Sequence, residues 1–271
     1  MRLQILGSGA AEAWPGIFCA CETCRRARAA GGKNLRSRAS VQIDGEWKID
    51  YPPDTYLHLL RYGLDLSRLQ HLFITHSHDD HFAWRELAYV RPPFGHDLVH
   101  PPLPVYGNAT VCNLLKPLVE RCQGLLEANQ VAPFVPVPAG HLTFTPLLAE
   151  HAPPEEALNY LVQEGPRTVL YASDTGLYGP RTMEFLSGRR LDLAIIECTQ
   201  GALPLPATLH MGWEGVLRLR DDLAAAGSIT SDTRMVITHF SHNAAMLHDE
   251  LEALAGPEGV EVAYDGMELS V

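Results

Sequence analysis

The sequence predicts an α/β fold in which two β-sheets lie face to face and helices cover their outer surfaces. Three observations lead there. Short apolar runs, several alternating with period two, recur along the whole chain, and stretches of helical periodicity separate them. Hydrophobic residues make up 46% of 271 positions and charged residues 20%, a composition that buries a large core and argues against disorder. No Ser/Gly linker, charge block or fixed-period repeat divides the chain, so residues 1–271 read as one domain.

The expected strands begin at Arg2 (RLQIL), Ala39 (ASVQI), Glu46 (EWKID), His71 (HLFIT), Leu103 (LPVYG) and His141 (HLTFTPLL). Further strands begin at Leu158 (LNYLVQ), Arg167 (RTVLYA), Leu191 (LDLAIIE), Arg234 (RMVIT), Val260 (VEVAY) and Met267 (MELSV). Helical patterns start near Thr55, Asp80, Asn108, Pro180, Gly212 and Asn243. The first half reads as hairpin-rich and the second as repeated strand–helix units. The Pro-rich stretches Arg91–Pro104 and Ala132–Pro138 read as surface loops that could rim a pocket.

Charge and cysteine content narrow the function. With 21 basic and 32 acidic side chains the net charge is −11, which opposes broad nucleic-acid binding because little positive charge is present to replace phosphate counterions. No apolar run approaches the ~20 residues that span a bilayer. The opening MRLQILGSGA reads as a first strand and not as an export signal. Six cysteines without such a signal point to a reducing, cytoplasmic compartment. Cys112, Cys122 and Cys198 are scattered and read as small buried hydrophobes.

The strongest chemical signal is Thr75-His76-Ser77-His78-Asp79-Asp80-His81, entered directly from a strand. In an extended segment residues two apart share a face, so His76 and His78 can reach one ion. Asp80 and His81, at the turn that follows, can reach a second. Nitrogen and oxygen donors at this density suit zinc, manganese or iron. One segment cannot close two sites. His151, Asp174 and His239 each sit just past an expected strand and are the distant candidates, while Asp50 is placed to orient a ligand histidine. Cys19, Cys21 and Cys24 form a tight thiolate cluster that needs one more ligand for tetrahedral zinc, and His242, three residues after His239, is the candidate.

In the order of these motifs the chain resembles the metallo-β-lactamase superfamily over nearly its whole length. The resemblance implies an αββα sandwich with a dinuclear site on one edge. It implies that His76, His78 and His151 bind the first metal, and Asp80, His81 and His239 the second, with Asp174 bridging. An aspartate at 174, where true β-lactamases carry cysteine, disfavours β-lactam hydrolysis. The Cys19-x-Cys21-x-x-Cys24 cluster, Thr238-His239-Phe240-Ser241-His242, the opening Leu6-Gly7-Ser8-Gly9 and the late Tyr264-Asp265-Gly266-Met267-Glu268 are similar to the PhnP-type cyclic phosphodiesterases. That similarity implies two catalytic Mn²⁺ or Zn²⁺ ions, one structural Zn²⁺, a small phosphodiester substrate (a cyclic ribose phosphate among the options), no membrane partner and a homodimer.

The expected reaction is attack on phosphorus by a hydroxide held between two ions, with Asp80, His210 and Glu197 as the catalytic residues. His210, in Thr208-Leu209-His210-Met211-Gly212, stands where PhnP-type and tRNase Z-type enzymes carry a mobile histidine, and would assist the leaving group. Glu197 would orient it. The chain departs from the pattern at Tyr51-Pro52-Pro53-Asp54, at the two Pro-rich loops, and at the acidic loop Ala152-Pro153-Pro154-Glu155-Glu156, segments expected to contact the substrate beyond its phosphate. It lacks the basic protruding arm of tRNase Z. The alternatives are a carboxylic-ester, lactone or thioester hydrolase of the same fold, or a PqqB-like protein of cofactor biosynthesis that is not a hydrolase.

Overall fold

The computed structural model describes residues 1–271. Its strands form two seven-stranded sheets. Sheet 1 contains β1 (Arg2–Gly7), β2 (Ser40–Ile43), β3 (Trp47–Ile49), β4 (His71–Phe73), β5 (Leu103–Gly107), β6 (Leu126–Gln130) and β14 (Glu268–Ser270), in the order β14-β1-β2-β3-β4-β5-β6. Sheet 2 contains β7 (Val137–Ala139), β8 (Leu142–Leu148), β9 (Leu158–Glu164), β10 (Arg167–Ala172), β11 (Leu193–Glu197), β12 (Arg234–Thr238) and β13 (Val260–Val262), in the order β13-β12-β11-β10-β9-β8-β7. Both halves have the same plan: an antiparallel meander, then parallel pairs from β3 to β6 and from β10 to β13. Hairpins therefore open each half instead of filling the first.

The period-two pattern assigns the layers. Along β10, Val169 and Tyr171 enter the core between the sheets, while Leu170 and Ala172 enter the core under the outer helices. Along β11, Leu193 and Ile195 face inward and Ala194 and Ile196 outward. The helices are α1 (Glu22–Ala30), α2 (Thr55–Tyr62), α3 (Ala109–Arg121), α4 (Pro180–Leu186), α5 (Trp213–Ala225) and α6 (His248–Ala255). Val111, Leu115 and Leu118 of α3 pack with Leu72 and Val105 of sheet 1. Val216, Leu219 and Leu223 of α5 and Leu251 of α6 pack on sheet 2. At roughly 1.5–3 kcal/mol for each fully buried large aliphatic or aromatic side chain, these three cores supply the main favourable term.

Between the sheets Phe73 stacks on Phe144 at 3.8 Å between ring centroids and on Tyr106 at 4.5 Å. The Tyr160 hydroxyl donates across the sheets to the carbonyl of Ile74 at 2.8 Å. That bond fixes the end of sheet 1 just before His76.

Several expected elements differ. No α-helix starts near Asp80. The chain makes a turn there and pairs with Tyr51, through Tyr51 N to His81 O and Ala83 N to Tyr51 O, both at 2.8 Å, and only a 3-10 turn, Trp84–Val90, follows. Backbone used in that bridge is not free to build a helix. Near Asn243 a 3-10 turn, His242–Ala244, is ended by Ala245 at φ 59°, and the helix proper starts at His248. Helix α1 was not expected, because its N-cap is Cys21 and not one of the usual capping residues. Strands β6 and β7 were not expected either. Both are sheet edges, one largely polar and one carrying Pro138, in keeping with what edges tolerate. Part of the stretch Ala132–Pro138 is therefore strand. No helix is long and apolar enough to cross a membrane.

Candidate metal centres

The candidate residues gather at one end of the sandwich because each follows a strand that ends there. Asp50 follows β3, Thr75–His81 follows β4, His151 follows β8, Asp174 follows β10, and His239 follows β12, while Glu197 is the last residue of β11. Asp50, Asp174 and His239 have φ of 64°, 51° and 60°. The left-handed region is uncommon for residues with a side chain, and Asp and His tolerate it better than most. Asp50 and His239 break the chain directly after the last residue of their strands, and Asp174 does so one residue further on, after Ser173.

The structure brings the sequence candidates into two adjoining groups, His76, His78 and His151 in one and Asp80, His81, Asp174 and His239 in the other. Nε2 of His151 lies 3.4 Å from Nδ1 of His78. Asp174 stands between the groups: its Oδ2 is 3.5 Å from His76 Nε2 and 2.6 Å from His81 Nε2, and its Oδ1 is 2.9 Å from His239 Nε2. Asp80 Oδ2 is 3.2 Å from His81 Nε2.

The outward nitrogens of four of these rings are occupied. Nδ1 of His81 donates to Asp50 at 2.7 Å, Nδ1 of His76 meets the Thr75 hydroxyl at 3.0 Å, Nδ1 of His239 meets the Thr199 hydroxyl at 2.8 Å, and Nδ1 of His151 meets the Leu209 carbonyl at 3.1 Å. Asp50 is itself held by Thr75, through N–H and hydroxyl. By contrast the inward Nε2 atoms of His76, His81 and His239, with Oδ1 of Asp174, are buried and make no properly directed hydrogen bond. Such orphans are costly unless a cation satisfies them. Rings anchored from outside with free nitrogens converging inside are how proteins present metal ligands. Charge agrees. Burial disfavours the imidazolium of His81, yet Asp174, Asp80 and Asp50 hold its pKa well above the ordinary value. The residues fit divalent ions.

Glu197 and His210 lie beside this centre. Glu197 is fully buried, and its two oxygens accept from Thr175 N at 3.0 Å, Thr199 N at 3.0 Å, the Thr199 hydroxyl at 2.5 Å, Met211 N at 3.2 Å and His210 Nδ1 at 2.8 Å. Burial pushes the His210 imidazolium down, but the hydrogen bond and charge of Glu197, with Asp174 and Asp80 behind, outweigh it and raise the pKa to about 9. The His210 ring is 4.8 Å from that of His151 and 5.8 Å from that of His239, between centroids.

Two residues that the sequence reading passed over shape this corner. The Thr199 hydroxyl joins Glu197 to His239. Gly176 lets the segment before His210 approach the Asp174 turn: a Cβ there would meet Thr208 O at 2.0 Å, and Leu177 N bonds Ala207 O at 3.0 Å. A Gly two residues after an acidic strand end was the available signal for the second.

Cys19, Cys21, Cys24 and His242 form a separate group at the start of α1. His242 Nδ1 is 3.5 Å from Cys21 Sγ and 3.8 Å from Cys19 Sγ. A tetrahedral zinc with usual bond lengths gives S···N edges of about 3.6 Å. Donation from Cys24 N leads the effects that lower the Cys21 thiol to about 6, which favours the thiolate. Gly16 closes the group, since a Cβ there would sit 3.1 Å from Cys19 Cβ and 3.4 Å from His242 Nε2. The other three cysteines are buried, as expected.

Two facing sheets, outer helices and a His/Asp cluster at the strand ends define a metal-binding hydrolase fold of the αββα kind. The chain belongs to the beta-lactamase superfamily domain family, which its residues 53–240 match. It is similar to a crystal structure of a diphosphatase from the PhnP family, with a TM-score of 0.79 and 25% identity over 100% of this chain and 97% of that one. Zn²⁺-bound PqqB from Methylobacterium extorquens shares the fold, with a TM-score of 0.78 and 17% identity over 100% of both chains. Among curated proteins, coenzyme PQQ synthesis protein B of Bradyrhizobium diazoefficiens is 46% identical over 46 residues, 17% of this chain and 15% of its own. An octanoyltransferase of Porphyromonas gingivalis is 25% identical over 290 positions, 99% of this chain and 51% of its own. The chain thus spans about half or less of these two curated relatives.

Proposed function

We propose that this protein hydrolyses small phosphodiesters, cyclic ribose phosphates among them, with two Mn²⁺ or Zn²⁺ ions at the catalytic centre and a structural Zn²⁺ beside it. In this reading His76, His78 and His151 hold one ion, and Asp80, His81 and His239 the other, with Asp174 shared. Cys19, Cys21, Cys24 and His242 hold the structural zinc. Bound ions would supply Lewis acidity toward the phosphate oxygens and a water that ionises near neutral pH. The chain's own residues do the rest. Asp50, Thr75 and Thr199 fix the ligand rings. Glu197 accepts from His210 Nδ1, which leaves Nε2 to carry a proton to the departing oxygen.

The observation that supports the reading best is the Glu197–His210 pair, 2.8 Å apart, set against Asp174. An alkoxide leaving group needs an acid at that place, and the better leaving group of a thioester does not. The test uses metal-stripped protein reconstituted with Mn²⁺ or Zn²⁺, assayed on cyclic ribose phosphates and on a bis-aryl phosphodiester. His210→Ala should lose about 10²–10⁴-fold on the alkoxide-releasing substrate and less on the aryl one. Equal, intact rates on both would reject His210 as the acid. A PqqB-like role without hydrolysis is the second reading, supported by the 46-residue match. It gains if loaded protein turns over neither phosphodiesters nor esters, lactones and thioesters.

A further inference from the structure

The acidic loop after His151 also makes a tie of its own to the rest of the fold. Glu155 is half-buried and turned inward, while Pro153, Pro154 and Glu156 are exposed. Its Oε1 accepts from Ser77 N at 3.0 Å and from Asn108 Nδ2 at 2.7 Å, and its Oε2 accepts from the Ser77 hydroxyl at 2.6 Å. Asn108 is the N-cap of α3, where its side-chain oxygen accepts from Val111 N at 3.0 Å, and its amide also donates to Glu156 O at 2.8 Å. One carboxylate therefore ties together three connections: the turn after β4, the β5–α3 turn and the β8–β9 loop. The first two belong to sheet 1 and the last to sheet 2.

That location matters because Ser77 lies between His76 and His78, while His151 comes from the other sheet. Strands β4 and β8, which lead into these rings, lie in different sheets and do not pair, so the spacing of the three rings depends on local ties. Backbone supplies one, Leu158 N to Thr75 O at 2.8 Å, and Tyr160 another, but both act before His76. Glu155 acts between His76 and His78. Bonds to a charged carboxylate are about twice as strong as neutral ones.

We infer that Glu155 is a positioning residue: by gripping Ser77 and Asn108 it sets the distance of His151 from His76 and His78, and so the affinity of that group for its ion. This role presupposes the metal reading proposed above. The two are separable by measuring metal binding instead of turnover.

The full-length, metal-stripped chain is titrated with Co²⁺, whose thiolate and His/carboxylate sites differ in their visible bands, and bound metal is counted. Glu155→Ala should weaken one of the two His/Asp equivalents by about 10–100-fold, the usual cost of losing a residue that orients metal ligands, with the other and the thiolate site unchanged. Glu155→Gln should stay close to wild type, because its oxygen can accept from Ser77 N and Asn108 and its NH₂ can donate to the Ser77 hydroxyl. Ser77→Ala, which removes only the 2.6 Å bond, should weaken the same equivalent by a smaller factor, and serves if Glu155→Ala does not fold.

Unchanged affinity in Glu155→Ala overturns the inference. So does a Gln variant as weak as the Ala variant, which would make charge, not positioning, the contribution. An equal fall at all three sites with a lower Tm also overturns it. Tight Co²⁺ binding without diester hydrolysis would sink the phosphodiesterase reading and leave the clamp standing. Absence of Co²⁺ at the histidines in the wild type would sink both.

Discussion

Replacing Glu197 by Gln tests whether the buried carboxylate holds the corner around His210 together. The side chain has no exposure and five donors aimed at its two oxygens. An amide offers one oxygen and one NH₂. If the NH₂ takes the place of Oε2 it confronts Thr199 N and Met211 N. If it takes the place of Oε1 it confronts Thr175 N and, in the present tautomer, His210 Nδ1. The second orientation costs less, since His210 can change tautomer, but it leaves one backbone N–H unsatisfied. A buried unsatisfied donor costs about 1–3 kcal/mol, and the charge-assisted bonds weaken too, so a loss of about 2–4 kcal/mol follows. For a domain of this size each kcal/mol is about 2–4 °C, so Tm should fall by roughly 5–15 °C. The changed tautomer takes the proton off Nδ1, and without the carboxylate beside it the imidazolium that gives up a proton from Nε2 loses its support, so the rate on an alkoxide-releasing diester should fall by about 10²–10⁴-fold. Calorimetry and initial rates at saturating metal measure both. A Tm within a degree of wild type would refute the hydrogen-bond accounting. A large Tm loss with an undiminished rate would refute the link from Glu197 to the acid.

Three further outcomes follow from the same geometry. Cys21→Ser should lose about one metal per chain and lower Tm while the His/Asp centre keeps its ions; metal counting on purified protein checks this, and loss of all ions would contradict it. Gly176→Ala places a methyl 2.0 Å from Thr208 O, so the His210 segment must move; kcat should fall at least tenfold with metal content unchanged, and wild-type kinetics would show that the segment is not held there. His58 is buried, its Nε2 2.8 Å from the Ser37 hydroxyl, and burial, with Lys48 and Arg61 nearby, depresses its pKa to about 2. A depressed histidine contributes stability that is complete above its ordinary value near 6.5 and is lost as pH falls below it, so at pH 4.5 this group should cost about 3 kcal/mol. The gap between the urea midpoints of metal-stripped protein at pH 7.5 and 4.5 should narrow in His58→Gln, the remainder coming from other buried histidines such as His76 and His248, and an unchanged gap would reject the assignment.

What was legible in the chain is what local chemistry enforces. His76, His78, Asp80 and His81 are candidate metal donors packed into six residues directly after a strand, and the structure gathers them at one end of the sandwich. The distant candidates were readable because each follows a β-rich run. Elements whose conformation is set from outside were not readable. The polar strand β6 pairs only as an edge, and β7 carries a proline that an interior strand would exclude. The helix near Asp80 failed because Tyr51, far off in sequence, claims that backbone. Thr199 was passed over because only folding places it between Glu197 and His239. The tie made by Glu155 was not readable because its partners, Ser77 and Asn108, are 78 and 47 residues away.

The His/Asp and Cys/His groups of candidate ligands share one short segment, and its anchoring explains why loss at one should spare the other. His239 and His242 flank Phe240 and Ser241 at the end of β12. Phe240 is fully buried, its N–H bonds Ser8 O at 2.9 Å, and its carbonyl accepts from Ala10 N at 3.0 Å. The Arg36 guanidinium lies 4.3 Å from its ring centre, itself fixed by Ser8, Ala263 and His248. Ser241 is held separately, its hydroxyl on Glu12 at 2.5 Å. A shift of His242 must therefore pass two anchored residues before it reaches His239. The opening Leu6-Gly7-Ser8-Gly9 stretch, whose glycines lie against the backbone of Ser37 and Arg38, is what brings those anchors close enough to act.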